Sequence, residues 1–385
     1  MGGDIYLDNA ATTYPKPEAV YEAMDRFARE VGGNPGRSGH HRSLESGREV
    51  LRAREAIANL FQVGEPSRII FTRNATEALN VVIQGVLREG GHAVITSLEH
   101  NSIWRPLEAL ARGGRASYTI VDCDGEGRLD LKRLEESFTP STRLLACTHA
   151  SNVCGALLPI EDMAEIAARH GAAFLLDAAQ TAGRVKIHPE AMGVTHLAFT
   201  GHKELFGPQG TGGLYIAPSW EIEPLIYGGT GSRSERSVQP DFLPDRYESG
   251  TLNAHGIAGL RAGVEFVLEA GVEEIRTHEQ GLTERLLEGF ALIPGVTAYG
   301  PRAWERRVGI VSFNLAGFTS SELASFLDEE YGICVRSGLH CSPLAHRTLG
   351  TLRSGVVRAS LSYLNTPEDI DSLLHAVRET AAASR

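Results

Sequence analysis

Lysine is scarce in this chain. Only Lys16, Lys132, Lys186 and Lys203 occur among its 385 residues. Lys203 has by far the most suggestive surroundings, in the small polar turn Thr200-Gly201-His202-Lys203 after the apolar run His196–Thr200. Upstream, Phe174-Leu175-Leu176-Asp177 reads as a buried strand that ends on a carboxylate. An amine can lose its proton and condense with a carbonyl, whereas a guanidinium stays charged. A carboxylate placed with such a lysine is what a pyridoxal phosphate site needs. The amine forms a Schiff base with the aldehyde, and the acid keeps the pyridine nitrogen protonated so that the ring can accept electrons. Asp177 could equally be an N-cap or a structural partner of an arginine, since a buried carboxylate needs a partner in any case. Gln180 follows closely enough to reach the phenolic oxygen of such a cofactor.

Other side chains could complete this chemistry. Asn74-Ala75-Thr76-Glu77 follows the strand pattern Arg68–Thr72 with capping-box spacing, and a helix start directly after a strand suits an anion. Thr76, Thr200 and His202 are the added donors that a phosphate would want; plain capping is the competing reading. His100, in Ser97-Leu98-Glu99-His100-Asn101, is either a hydrogen-bonded structural residue or an imidazole that stacks on a flat ring and moves protons. Cys341 lies in Arg336-Ser337-Gly338-Leu339-His340-Cys341-Ser342-Pro343, where cationic neighbours would favour a nucleophilic thiolate over an inert loop cysteine. Arg358 is a surface charge, an ion-pair member or a bidentate clamp for an amino-acid carboxylate.

The elements that must position these residues alternate. Apolar runs at Arg68–Thr72, Ala93–Ser97, Ser117–Val121, Leu144–His149, Ala173–Asp177, His196–Thr200 and Gly213–Ile216 are separated by amphipathic stretches such as Leu44–Phe61, Glu77–Leu87 and Ile160–His170. This pattern predicts an α/β fold with a mostly parallel central sheet covered by helices on both faces. Ligands in such sheets collect at the carboxyl ends of strands, where His100, Asn152, Asp177 and Lys203 all fall. A Gly/Ser/Pro-rich passage, Gly228–Pro244, interrupts the alternation. Beyond it, helical patterns at Ile257–Leu268 and Ser321–Glu330 mix with strand patterns at Gly309–Asn314, Ile333–Arg336 and Arg358–Ser362, the mark of a smaller α+β domain. The expected division is 17–255 for the large cofactor-binding domain, with 1–16 and 256–385 forming the small domain that carries the Cys341 loop.

A net charge of −11 with interspersed signs argues against nucleic acid and anionic membrane as main partners. No apolar run approaches the roughly 20 residues of a membrane span, and the strand-like start leaves no room for a signal peptide. A cytoplasmic location is expected. Five cysteines without a C-x-x-C pair argue against a disulfide framework or a metal site.

Taken together, these segments resemble the class V aminotransferase group of pyridoxal phosphate enzymes, and within it the cysteine desulfurases of the NifS and SUF types. The resemblance runs nearly end to end. It rests on Tyr6-Leu7-Asp8-Asn9-Ala10-Ala11-Thr12-Thr13, Asn74-Ala75-Thr76-Glu77, Glu99-His100-Asn101-Ser102 and Ser151-Asn152-Val153-Cys154-Gly155. It continues through Asp177-Ala178-Ala179-Gln180, Gly201-His202-Lys203 with Gly207-Pro208, Glu248-Ser249-Gly250-Thr251, the Cys341 loop and Arg358-Ala359-Ser360. The Arg-x-Gly-x-His-Cys pattern is closest to the SUF type (group II), whereas Leu7–Thr13 is closer to the NifS type.

The resemblance implies a fold-type-I homodimer. Lys203 would hold the cofactor aldehyde, Asp177 the pyridinium, Gln180 the phenolate and His100 the ring face. Ala75, Thr76, Thr200 and His202 would surround the phosphate. Thr251 would cross to the other subunit's cofactor. Asn152, Arg358 and Arg336 would bind the substrate. Cys341, in a mobile loop, would take sulfur from L-cysteine as a persulfide, release alanine and pass the sulfur to an acceptor protein, for example in iron–sulfur cluster assembly. Competing readings are a selenocysteine lyase, another class V aminotransferase or C–S lyase, and a sulfur-carrier scaffold that retains the cofactor for structure.

Overall fold

In the computed structural model, which describes residues 4–36 and 38–383, the chain begins with the short strand β1 (Ile5–Tyr6). It then builds a seven-stranded sheet from β2 (Ile69–Thr72), β3 (His92–Thr96), β4 (Ser117–Val121), β5 (Thr142–Thr148), β6 (Ala173–Asp177), β7 (His196–Thr200) and β8 (Gly212–Ile216). The spatial order is β2-β8-β7-β6-β5-β3-β4. Every pairing is parallel except those of β8, which runs antiparallel to β2 and β7. The fold is therefore α/β with a mostly parallel central sheet, and all seven strand patterns of the sequence become its strands with nearly unshifted ends.

Strands β3, β6, β7 and β8 are buried along their whole length because helices cover both faces. Side chains alternate between the two layers. Val94, Leu145, Phe174, Leu176, Leu197 and Phe199 join one core with the helices His41–Leu60, Ile160–Arg169 and Ala254–Ala270. Ala93, Ile95, Leu144, Ala146, Leu175 and Ala198 join the opposite core with Ala75–Val86 and Asn101–Arg112.

A second sheet contains β9 (Val296–Tyr299), β10 (Ile310–Leu315), β12 (Arg336–Gly338) and β13 (Val356–Ser360), in the order β12-β13-β10-β9 and antiparallel throughout. The strand pattern Ile333–Arg336 splits: β11 (Ile333–Cys334) pairs instead with β1. Leu286, Phe290, Phe313, Leu327, Leu373 and Val377 form the core of this half, between the sheet and the helices Val272–Ala291, Ser320–Tyr331 and Pro367–Ala383. The helix Ala254–Ala270, which the division at 255/256 gives to the small domain, buries Ile257, Leu260 and Val264 in the core of the large sheet. Among the described residues, no helix is long and apolar enough to cross a membrane.

One buried ion pair ties the large sheet to its helices. Glu248 accepts two hydrogen bonds from Arg54 at 2.8 Å each and a third from Phe71 N at 2.6 Å. Both side chains are almost wholly buried. Glu248→Ala would strand the Arg54 guanidinium, a loss of about 3–5 kcal/mol. The urea midpoint should fall accordingly and fall less in Glu248→Gln, which keeps an acceptor. Equal midpoints for Glu248→Ala and the parent would contradict this account.

Candidate active site

The carboxyl ends of β5, β6 and β7 open on one side of the sheet. Register places Thr148 beside Asp177 and Asp177 beside Ala198, so the Asp177 side chain and the turn beyond Thr200 share that edge. A cavity of about 220 Å3 lies there. It is lined by Ala75, Thr76, His100, Asn152, Asp177, Gln180, Thr200, His202, Lys203, Arg336 and Arg358, residues that the sequence scatters over most of its length. Two expected site residues lie outside it. Thr251 lines a neighbouring cavity with Arg73, Glu77 and Asn253. Cys341 is exposed on the loop whose preceding residue, His340, lines the cavity.

Local hydrogen bonds fix the lining. Asn74 caps the helix Ala75–Val86 by accepting from Glu77 N at 2.9 Å. The reciprocal half of the expected capping box shifts by one residue, since Glu77 accepts from Arg73 N at 2.6 Å. His100 caps the helix Asn101–Arg112: its Nδ1 accepts from Ser102 N at 3.1 Å. An accepting Nδ1 assigns the ring proton to Nε2, so the structural reading of this histidine holds and its second nitrogen is a donor. Ser102 Oγ links His100 Nδ1 to Thr76 Oγ1, at 2.9 and 2.7 Å. Burial, helped by the positive charge of Lys203 and Arg336, pushes His100 down to about 4, so the imidazole is neutral at physiological pH.

Electrostatics favour a reactive amine. Burial lowers Lys203 to about 8; Asp177 opposes that shift, while Arg358, Arg184 and Arg336 add to it. Burial raises Asp177, partly offset by the hydrogen bond from Ala179 N and by Lys203. Buried polar atoms are nearly always paired. Yet Thr200 Oγ1, His202 Nδ1 and Gln180 Oε1, all on cavity-lining residues, have no partner among the described residues. An amine close to neutrality, a carboxylate and a cluster of unpaired donors and acceptors match an aldehyde, a pyridinium and a phosphate ester. The residues fit pyridoxal phosphate.

Several contributors lacked a legible role in the sequence. Thr12 Oγ1, Thr13 N and Lys16 Nζ converge on His202 O at 2.9, 3.0 and 2.8 Å, and Thr13 Oγ1 donates to Lys203 O at 3.0 Å. The amino-terminal segment thus holds the backbone that carries Lys203. Asp8 pairs with Arg358 at 2.6 Å, and Arg358 also donates to Asn152 O at 3.0 Å. Glu99 accepts from Thr96 Oγ1 at 2.6 Å and Thr148 N at 2.8 Å, joining the ends of β3 and β5; burial raises it to about 8. The one available signal was the acidic Glu99, placed shortly after the apolar run Ala93–Ile95.

The Cys341 loop differs from expectation in two respects. His340 is pushed down to about 3 by burial and by Arg358, so it adds no positive charge beside the thiol. The loop is also tied down rather than free: Asn101 N donates to Cys341 O at 2.9 Å, and Asn152 Nδ2 to His340 O at 2.7 Å.

A mostly parallel sheet covered by helices, with a lysine and an aspartate lining one cavity at its carboxyl edge, is the fold of the type I pyridoxal phosphate-dependent enzymes. The profile of the family described as aminotransferase class-V matches residues 5–373, and the chain belongs to that family. It is 36% identical over 383 residues to a probable cysteine desulfurase of Methanothermobacter thermautotrophicus, covering 98% of this chain and 94% of the relative. It is 33% identical to a cysteine desulfurase of Salmonella agona, covering 96% and 91%. Among solved structures, the apo cysteine desulfurase of Thermococcus onnurineus superposes with a TM-score of 0.92 at 33% identity, covering 99% of this chain and 95% of that one.

Proposed function

We propose that this protein is a pyridoxal phosphate-dependent L-cysteine desulfurase that moves sulfur onto Cys341 and releases alanine. The observation that carries the reading is the meeting of Lys203 and Asp177 in a cavity beside three unpaired polar atoms, on Thr200, His202 and Gln180. The cysteine desulfurase relatives, similar over nearly the whole chain, support it.

When bound, the cofactor supplies an electron sink in conjugation with the substrate's α-carbon. Lys203 would hold the aldehyde, and its amine would move the α-proton; its lowered pKa keeps free amine available. Asp177 would provide the counter-charge to the pyridinium. Thr76, Thr200 and His202, with the backbone at Ala75, would hold the phosphate, and neutral His100, which lines the same cavity, would offer its Nε2 proton. Arg336 and Arg358 supply positive charge for the substrate carboxylate, and Asp8 orients the second of them. Cys341 thiolate attacks the substrate sulfur. An S–S bond forms, the C–S bond breaks with its electron pair left on the carbon skeleton, and that skeleton takes up a proton to become alanine.

The proposed assembly is a homodimer in which Thr251, outside the cavity of its own chain, serves the neighbouring subunit's cofactor. A sulfur-acceptor protein then collects the persulfide from the exposed loop. The two structural cores support a large domain and a small one, with the boundary after the helix Ala254–Ala270 rather than at 255/256.

The test is incubation of the cofactor-loaded protein with L-cysteine and a reductant. Alanine and sulfide should appear in equal amounts, and omission of the reductant should leave extra sulfur on the Cys341 peptide in a mass spectrum. Pyruvate in place of alanine would assign a different C–S cleavage.

A further inference from the structure

Asn152 is engaged at both ends of its side chain by the segment that carries Cys341. Its Nδ2 donates to His340 O at 2.7 Å, and its Oδ1 accepts from Ser342 Oγ at 2.6 Å. All three residues are buried, Ser342 completely. Within the turn, Ser342 N donates to Leu339 O at 2.9 Å, and Asn101 N donates to Cys341 O at 2.9 Å from the neighbouring helix.

The turn needs these ties because of its backbone. His340 and Cys341 are consecutive non-glycine residues with φ of 50° and 57°. A Cβ disfavours that left-handed region, and residues persist there only where the surroundings over-determine them. The Asn152 amide spans the strained pair, gripping the carbonyl of the first residue and the hydroxyl that follows the second.

We propose that Ser342 is a positioning residue for Cys341: through Asn152, its hydroxyl fixes the left-handed turn that holds the thiol beside the active-site cavity. This rests on the reading of Cys341 as the sulfur-receiving group. The held turn presents one thiol orientation to the substrate sulfur, and the acceptor protein must come to the exposed loop rather than wait for the loop to travel.

Ser342→Ala removes only the hydroxyl. Hydrogen exchange of the cofactor-loaded protein should accelerate about fivefold at Ser342 N and Asn101 N, as loss of one net hydrogen bond predicts. The kcat for alanine formation should fall by at least a similar factor while KM for cysteine stays within about twofold. Ser342→Thr, which keeps the hydroxyl, should restore both. Asn152→Asp, which loses the donor to His340 O, gives the same exchange readout should Ser342→Ala not fold. Unchanged exchange in the variant that folds overturns the proposal. So does a raised KM with parental kcat, since Asn152 would then be held for the substrate alone. Exchange is measured without turnover, so absence of desulfuration in the parent would refute the proposed function and leave this test standing.

Discussion

Lys203→Ala is expected to give a folded, colourless protein that makes no alanine above about 10⁻²–10⁻⁴ of the parental rate, the range for loss of a positioned proton-transfer group. Burial sets the reactivity of this amine. With its pKa lowered to about 8, roughly a quarter of Lys203 is free amine at pH 7.5, against about one part in a thousand at the ordinary lysine value. The sign is definite: free amine increases as pH rises, so capture of the aldehyde by the apo-protein should accelerate through about pH 8 and level off above it. Lys203→Arg should fail equally, because its guanidinium stays charged. A rival exists in Lys16, also lowered to about 8 by burial. Its Nζ, however, donates to Thr13 Oγ1 at 2.5 Å and His202 O at 2.8 Å, and the residue does not line the cavity. Borohydride reduction followed by peptide mass analysis separates the two. Cofactor mass on the peptide containing Lys16 would move the covalent site and sink the assignment.

Much of this fold was legible because strands buried on both faces read as continuous apolar runs. Phe174–Asp177 and His196–Thr200 end where the cavity begins, and a carboxylate or lysine buried after such a run must find a partner. Other elements carry weaker or conflicting signals. Asn101–Arg112 buries Ile103, Leu107 and Leu110 on one face, but Pro106 inside it and a histidine at its cap are signals against a helix, and β9 is only partly buried and shows no clean period. The Ile333–Arg336 pattern was correct as extended chain, but a single run cannot reveal that its two halves pair with different strands. Contacts across long separations were likewise hidden. Nothing in Thr12-Thr13 points to the carbonyls of His202 and Lys203, and nothing in Ser342 points to Asn152. Residue types disclosed the chemistry; which backbone groups those residues fasten emerged only from the fold.

The outcome expected for Cys341→Ala follows from how the five cysteines are distributed. Cys147 and Cys154 are buried with their thiols pushed up by burial, Cys123 is pushed up to about 12, and half-exposed Cys334 is raised by burial and by Asp328. None of these can replace an exposed thiol beside the cavity. Alanine formation from cysteine should therefore drop by at least about 10³-fold, as removal of an attacking nucleophile does. The yellow colour should persist, since Cys341 does not line the cavity that contains Lys203 and Asp177. Alanine also has a Cβ and meets the same backbone penalty at φ 57°, so the substitution changes the sulfur and leaves the turn otherwise alone. Selenocysteine provides the control. Its C–Se bond is weaker, so that substrate should still yield alanine in the variant at a rate much nearer the parental one. A variant that desulfurates cysteine as fast as its parent would remove Cys341 from the reaction and return the transfer step to a group within the cavity.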